Sequence, residues 1–304
     1  MTVSKSLIIL FAVSAVSMAQ TKVFAPVQHL SFDAPESWAL KYFTSMTLLS
    51  GLEPPETFGE ERHTGSITAG FEIDWLPSLS GARATVGFSG HKQEDLNKAP
   101  IFARPSIRVG LPWKLSVIAT GPAPIDVFGV TPSLFALGIE RPVIERPQWR
   151  LNWRVYGQLG SVSAAFTCPK KVLGFAPGSP GNPTGCVAES NDTATLRYAG
   201  TELQFAHRLP WIPRLTPHVS AGYNLINSAF QVNAPLTNRL DRTYLWTRGE
   251  TYHGTAGVSY LLTKRLALTV DAFYTPLSIR RAAGTPRVND GLFNVRALVS
   301  YDLR

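Results

Sequence analysis

Six histidines are the side chains best suited to acid–base or metal chemistry in this sequence, which has only two cysteines. Zinc sites draw their ligands from histidines and cysteines at short, regular spacings. No two of these histidines stand at such a spacing, so the sequence predicts neither a metal site nor a cofactor. The six are His29, His63, His91, His207, His218 and His253.

One short motif approaches a known catalytic pattern. Gly87-Phe88-Ser89-Gly90-His91 differs from the Gly-x-Ser-x-Gly nucleophile elbow because His91 stands where the second glycine belongs. A sharper reading uses His91 or His253 as a general base near the end of a strand, oriented by Glu94, Asp95 or Glu250. No nucleophile motif accompanies either histidine, so we predict no catalytic residue and rank a hydrolase last.

Charged residues recur at every second position of several segments, which places them on one face of a strand. Opposed positive and negative walls can line a water-filled pore and set its ion preference, and the arginines near residues 83, 104 and 108 predict a weak preference for anions. The same groups could instead pair across a narrow barrel and fill it, because buried charges need partners. The inward candidates are Glu72, Asp74, Arg83, Arg104, Arg108, Glu140, Arg150, Arg154, Glu202, Asp271 and Arg296.

The elements that would position these charges are strands of period two. Apolar and polar residues alternate most clearly over 149–159, 67–75 and 293–303. Together with weaker segments they predict about twelve strands, many near ten residues long, a length that crosses a bilayer when tilted. The weaker segments are 82–91, 100–111, 130–140, 196–207, 217–227, 251–262 and 265–275, and the faintest are 38–49 and 114–120.

The beginning of the chain predicts export. Lys5 precedes an apolar run from Leu7 to Val16, and the small residues Ser17 and Ala19 favour cleavage before Gln20. We therefore expect a signal peptide over 1–19, a periplasmic segment over 20–36 and a barrel over 37–304. Beyond Gln20 no stretch of about 18 apolar residues occurs, so any membrane crossing must use strands closed into a barrel.

The predicted connections alternate in length, with short turns at one end and mostly longer loops at the other. On this threading five tryptophans fall at or beside the short-turn end, where an aromatic belt needs amphipathic rings. That end is then periplasmic and the long loops extracellular. The five are Trp38, Trp75, Trp113, Trp149 and Trp211.

Charge and cysteines narrow the choice of partners. The formal net charge of +8 permits nucleic-acid binding, but the cations are scattered singly through strand-like segments, so we expect no nucleic-acid partner.

Cys168 and Cys186 bracket a segment rich in Gly and Pro. In an oxidising compartment they predict one disulfide that closes a loop, either folded inward as a constriction or lying outside as a surface flap.

The export signal, the period-two strands, the tryptophans and the closing segment Val299-Ser300-Tyr301-Asp302-Leu303-Arg304 together resemble bacterial outer-membrane β-barrel proteins as a broad class. The resemblance implies an all-β fold, a closed antiparallel transmembrane barrel with short periplasmic turns and longer extracellular loops. It also implies outer-membrane lipid, lipopolysaccharide and the barrel assembly machinery as partners. It names no subfamily, and function does not follow from fold.

Three functions remain open at this stage. The first is a passive, porin-like channel for small polar or ionic solutes, and the second is a non-conducting barrel that displays loops for adhesion or envelope scaffolding. The third is the rim hydrolase. A soluble secreted β-sandwich is the architectural alternative, since alternating strands occur there too.

Overall fold

A computed structural model of the chain describes residues 22–51, 64–122, 126, 129–282 and 284–303. The predicted signal peptide and His63 lie outside the described residues. Ten antiparallel strands close into a barrel. They are β1 (Ile67–Trp75), β2 (Ile101–Gly110), β3 (Ser116–Thr120), β4 (Thr131–Glu145), β5 (Trp149–Ala164), β6 (Asp192–His207), β7 (Leu215–Gln231), β8 (Tyr244–Leu261), β9 (Leu266–Thr275) and β10 (Leu292–Asp302).

Each strand pairs with its neighbour in sequence, and β10 pairs with β1 to complete the ring. One further strand, Val27–His29, adds in parallel to Tyr244–Trp246 of β8 outside the ring. The other short strands are Lys22–Phe24, Thr85–Val86, Lys92–Gln93, Ala234–Leu236, Arg239–Asp241, Ser278–Ile279 and Val288–Asn289. The helical elements are α1 (Pro35–Met46), the turns Gly81–Ala84 and Gly87–Gly90, and 3-10 turns at Pro112–Lys114 and Lys170–Val172.

The barrel has ten strands and not the predicted twelve, because two of the predicted strands are helical. The segment 38–49 is mostly helix α1, whose first turn carries Pro35 and Glu36, residues that suit a helix N-terminus. The segment 82–91 forms two helical turns around a two-residue strand, and Phe88 and Ser89 have positive φ angles that interrupt a ladder.

The missing strand also changes the end of the barrel at which one tryptophan lies. Since 82–91 is no barrel strand, Trp75 is followed by the 25-residue connection 76–100 and lies at the long-loop end, not at the short-turn end. Trp38 belongs to α1 and is fully buried, so it is not part of a belt. Trp113, Trp149 and Trp211 do lie at the short-turn end, at the connections 111–115, 146–148 and 208–214.

The barrel wall is taller on one side. Strands β4 to β8 have 15 to 18 residues, whereas β1, β2, β3, β9 and β10 have 5 to 11. The extra length stands at the long-loop end: β8 pairs with β9 only from Gly254 onward, while Tyr244–His253 continue upward against β7.

Candidate functional site: the occupied barrel lumen

Helix α1 lies inside the barrel. It enters at the long-loop end, where Trp38 Nε1 donates to Asp290 O (2.9 Å) and Lys41 Nζ donates to Ser278 O (2.7 Å). Thr44 Oγ1 lies 2.7 Å from Ser228 Oγ of β7 in the wall. We call residues 35–51, α1 and the extended chain that follows it, the lumen segment.

The lumen segment supplies one side of the main hydrophobic core. Trp38, Tyr42, Met46, Leu48 and Leu49 are buried, and their cluster includes inward-facing side chains of the wall and its loops. The wall and loop members include Ile118, Tyr156, Tyr198, Ile226, Phe273, Leu277, Ile279 and Leu292. An interior that carries this much apolar surface is built to contact protein and not water.

Three arginines bind the backbone where α1 ends. Arg104 donates to Thr47 O (2.8 Å) and Leu48 O (3.1 Å), and Arg154 donates to Gly51 O (3.1 Å). Arg296 donates to the carbonyls of Leu48 (3.0 Å), Ser50 (3.2 Å), Ser45 (3.3 Å) and Met46 (3.4 Å). The last carbonyls of a helix have no partner within it and carry partial negative charge. Guanidinium groups therefore satisfy them well.

The strand register places a carboxylate beside each of these arginines. Glu72 lies opposite Arg104 and accepts from its Nε (2.6 Å) and Nη2 (3.0 Å). Glu140 and Glu202 flank Arg154 from the two neighbouring strands, at 2.6 Å and 3.2 Å. Asp74 lies opposite Arg296, with 3.9 Å between Oδ2 and Nε. Each arginine thus faces an acid on the wall and carbonyls on the lumen segment, which offsets its desolvation.

Neutral polar groups complete the contacts. Tyr198 Oη accepts from Leu49 N (2.8 Å) and donates to Thr47 O (2.9 Å), and Gln158 Nε2 donates to Thr47 Oγ1 (2.8 Å). Gly51 N donates to both oxygens of Glu202 at 3.2 Å. Gly51 has φ 63°, and a Cβ there would lie 2.4 Å from Asp271 Oδ2, so glycine is required for this close approach.

Two histidines belong to the same interior. His253 Nδ1 lies 2.9 Å from Asn224 Nδ2, and its Nε2 lies 3.0 Å from Glu202 Oε2. His218 Nε2 lies 2.6 Å from Asp271 Oδ1. His253 is buried on the inner side of β8 with Glu202 and Asn224 as its partners, whereas Glu250, the partner considered from the sequence, is exposed.

The other rim candidates lie among the long loops. Glu94 Oε2 is 3.1 Å from Lys92 Nζ, and burial raises the pKa of the Glu94 carboxyl to about 7. Asp95 pairs with Lys98 (3.1 Å) and Lys171 (2.8 Å). His91 is exposed. Within the described residues no group of three or more His, Cys, Asp or Glu side chains is arranged to hold a metal ion.

Most of the predicted lumen residues are buried on the inner side of the wall. These are Glu72, Asp74, Arg104, Arg108, Arg150, Arg154, Glu202, Asp271 and Arg296, with Glu140 beside them. Arg83 is the exception, because it stands in the helical turn Gly81–Ala84 and pairs with Asp290 at 2.7 Å. Sequence reasoning missed the lumen segment, because a weak alternation over 38–49 resembles a strand. Pro35 and Glu36 are the signals of a helix start that could have identified it.

The long loops and the N-terminal strands form a second ordered region, which we call the cap: the described residues of 22–30, 76–100, 165–191, 232–243 and 276–291. Cys168 and Cys186 form the predicted disulfide. It packs on Val232 and Ala234 of another part of the cap. Lys22–Phe24 pairs with Arg239–Asp241.

Below the cap, Asp33 binds Arg287 (2.6 Å) and Arg280 (3.3 Å). The hydrogen bond that Asp33 accepts from Ser31, together with the nearby Arg287, lowers the pKa of the Asp33 carboxyl to about 2.

The outer face of the wall defines where the bilayer lies. On β6 the outward Leu203 and Phe205 near the short turns are exposed, whereas the outward Thr193, Thr195 and Arg197 near the cap are polar. On β8 the outward Val258 and Tyr260 give way toward the cap to the exposed Arg248 and Glu250. An apolar belt below a polar extension is the surface of a barrel that crosses a membrane and projects from it on one side.

Among the described residues, no helix is both long and apolar enough to span a bilayer. The closed antiparallel ring, the apolar belt and the short-turn, long-loop asymmetry define an outer-membrane β-barrel protein.

No protein-family model matches the chain, and no curated protein matches it in sequence. Solved barrels resemble it in architecture at low identity. The outer membrane protease OmpT from Escherichia coli is 11% identical, with 79% of this chain and 94% of that chain covered and a TM-score of 0.40. Neisserial surface protein A is 10% identical, with 79% of this chain and 97% of that chain covered and a TM-score of 0.32. The attachment invasion locus protein Ail of Yersinia pestis is 9% identical, with 78% of this chain and 96% of that chain covered and a TM-score of 0.27.

Proposed function

We propose that this protein is a barrel of the bacterial outer membrane whose lumen is closed by its own lumen segment, and that it acts through the ordered cap at its long-loop end. One observation carries the proposal: Trp38, Tyr42 and Leu48 are core residues of the whole fold. On this reading the protein does not conduct in its resting state and has no catalytic step.

The energetics of removal favour a permanent closure. Withdrawing the lumen segment would expose the apolar wall residues around Phe273 and Ile226, at about 25 cal/mol for each Å² of apolar surface returned to water. It would also strip Arg104, Arg154 and Arg296 of their carbonyl acceptors. Losing a hydrogen bond to a charged group costs about 1.5–3 kcal/mol.

The second candidate is a gated, porin-like channel for small polar or ionic solutes. It is favoured by the charges on the wall, because Arg104, Arg154 and Glu202 would keep an emptied lumen wettable. A weak preference for anions then remains the expectation. The rim hydrolase ranks last, since His253 is committed to Glu202 and Asn224 inside the barrel.

Conductance in planar bilayers, with a covalent lock on the lumen segment, separates the two candidates. Thr44→Cys with Ser228→Cys replaces a hydroxyl pair whose oxygens are 2.7 Å apart, so oxidation should join α1 to β7. Reductant also opens Cys168–Cys186, so unmutated protein under reductant is the matched control. We expect silence from unmutated and locked protein alike. Discrete openings that the lock abolishes would overturn the closed barrel in favour of the gated channel.

A further inference from the structure

The turns at the short-turn end share one composition. Each of the four places exposed apolar side chains next to exposed cations. They are the connections 111–115, 208–214 and 262–265, and the connection 146–148 taken together with the end of β4 from residue 141. Together they hold seven Lys or Arg residues and one carboxylate, Glu145. Glu145 is already engaged by Lys114 and Arg150. The cations are Lys114, Arg141, Arg146, Arg208, Arg214, Lys264 and Arg265.

The apolar members of the turns are large and unusually exposed. Trp113 is 80% exposed and Trp211 is 73% exposed. Val143, Ile212 and Leu262 stand beside the cations of the other turns and are also exposed. An aromatic ring exposed to water gains little from packing within the protein. The same ring is stabilised at the boundary between lipid headgroups and acyl chains.

Backbone strain supports a selected role for the first turn. Trp113 and Lys114 have φ angles of 61° and 59°, in the left-handed region that residues with side chains seldom adopt. Glycine and asparagine would relieve that strain. The turn instead keeps an exposed indole at Trp113 and an ammonium group at Lys114 that pairs with Glu145.

We infer that the short-turn end is a docking surface for anionic phospholipid headgroups of the leaflet that it meets. The cations bind headgroup phosphates, as Lys and Arg do at charged membrane surfaces. The tryptophans and the aliphatic side chains enter the boundary layer between them. The charge excess of the turns selects a lipid of negative charge over a zwitterionic one. The inference is independent of whether the lumen conducts.

The test compares two fourfold variants of the full chain in nanodiscs. Arg146, Arg214, Lys264 and Arg265 are changed together to Gln in the turns, and the control changes Lys22, Lys170, Arg242 and Arg248 to Gln at the opposite end. All eight are exposed, so both variants should fold. Native mass spectrometry counts the phosphatidylglycerol and phosphatidylcholine that each protein retains from mixed discs.

Unmutated protein should retain phosphatidylglycerol in preference to phosphatidylcholine. In the turn variant the ratio of the two retained lipids should fall by up to about fivefold for each cation neutralised. The control variant should keep the preference, and raised salt should weaken it in unmutated protein. A Trp113→Ala, Trp211→Ala protein should bind both lipids less and keep the preference. Equal retention of the two lipids by unmutated protein, or equal loss in both fourfold variants, would overturn the inference. In that case an acidic protein partner becomes the better occupant.

Discussion

The lumen segment and the cap are both extra chain added to one barrel, but they are held in different ways. The lumen segment packs fully buried apolar side chains against the wall and gives its carbonyls to Arg104, Arg154 and Arg296. The cap is joined by short two- and three-residue strands, one disulfide and ion pairs such as Lys171–Asp95, where the lysine is 67% exposed.

These two kinds of contact indicate which region belongs to the cooperative fold. Buried charge networks and large apolar contacts couple a segment to global stability. Exposed ion pairs contribute little, and regions with short strands open locally. Changes to the lumen segment or its arginines should therefore lower the stability of the whole barrel, whereas changes to the cap should alter local opening only.

The largest effect is expected from Arg296→Ala. It removes the donor to four carbonyls and leaves Asp74 as a buried acid without its facing cation. We expect a loss of about 5 kcal/mol in the free energy of unfolding, measured by urea unfolding in vesicles. Arg197→Ala, an exposed arginine on β6, should change it by under about 0.5 kcal/mol. Equal effects of the two would place the lumen segment outside the cooperative fold.

Trp38→Ala should rank second. The side chain is fully buried, and deleting such a ring costs about 3–4 kcal/mol, since a cavity remains. Trp38→Phe separates packing from hydrogen bonding, because it keeps most of the ring and loses the donor to Asp290 O. Trp75→Ala, on the outer face, is the control in the same unfolding assay. A loss no larger than that of Trp75→Ala would mean that α1 does not pack as described.

The disulfide tests the cap. Changing Cys168 and Cys186 together to Ser frees a loop whose ends are 18 residues apart, which removes about 3 kcal/mol of constraint on the opened loop. Protease should cut 165–191 faster, while heat-induced unfolding of the barrel on gels should stay unchanged. Global unfolding of the variant at lower temperature would show that the cap and the barrel are one cooperative unit.

The smallest effect is a pH dependence at Glu94. Its pKa is raised from 4.5 to about 7 by burial, so the folded loop favours the protonated acid. That stabilisation is complete below about pH 4.5 and is lost as the pH rises through 7. Hydrogen exchange of 76–100 should report an opening free energy about 2–3 kcal/mol lower at pH 8 than at pH 5. Glu94→Gln should flatten this profile, and a profile that rises with pH would contradict the assignment.

Sequence reasoning succeeded where a local period determines the structure. The alternation over 67–75 and 149–159 predicted β1 and much of β5. It failed at 82–91, where Gly87, Gly90 and the left-handed Phe88 and Ser89 replace a strand by turns. That error moved Trp75 to the wrong end, because one miscounted strand reverses the direction of every strand on its far side.

Local patterns in the sequence predict an export signal, strands of period two and a row of charges on one strand face, since these depend on neighbours along the chain. What those charges contact depends on the fold. Arg104, Arg154 and Arg296 come from three strands, and they meet the carbonyls of residues 45–51 because the barrel closes around α1. Contacts between residues about 50 to 250 positions apart leave no period in a sequence. The contacts between the lumen segment and the wall therefore depend on closure of the barrel and not on a pattern in the sequence.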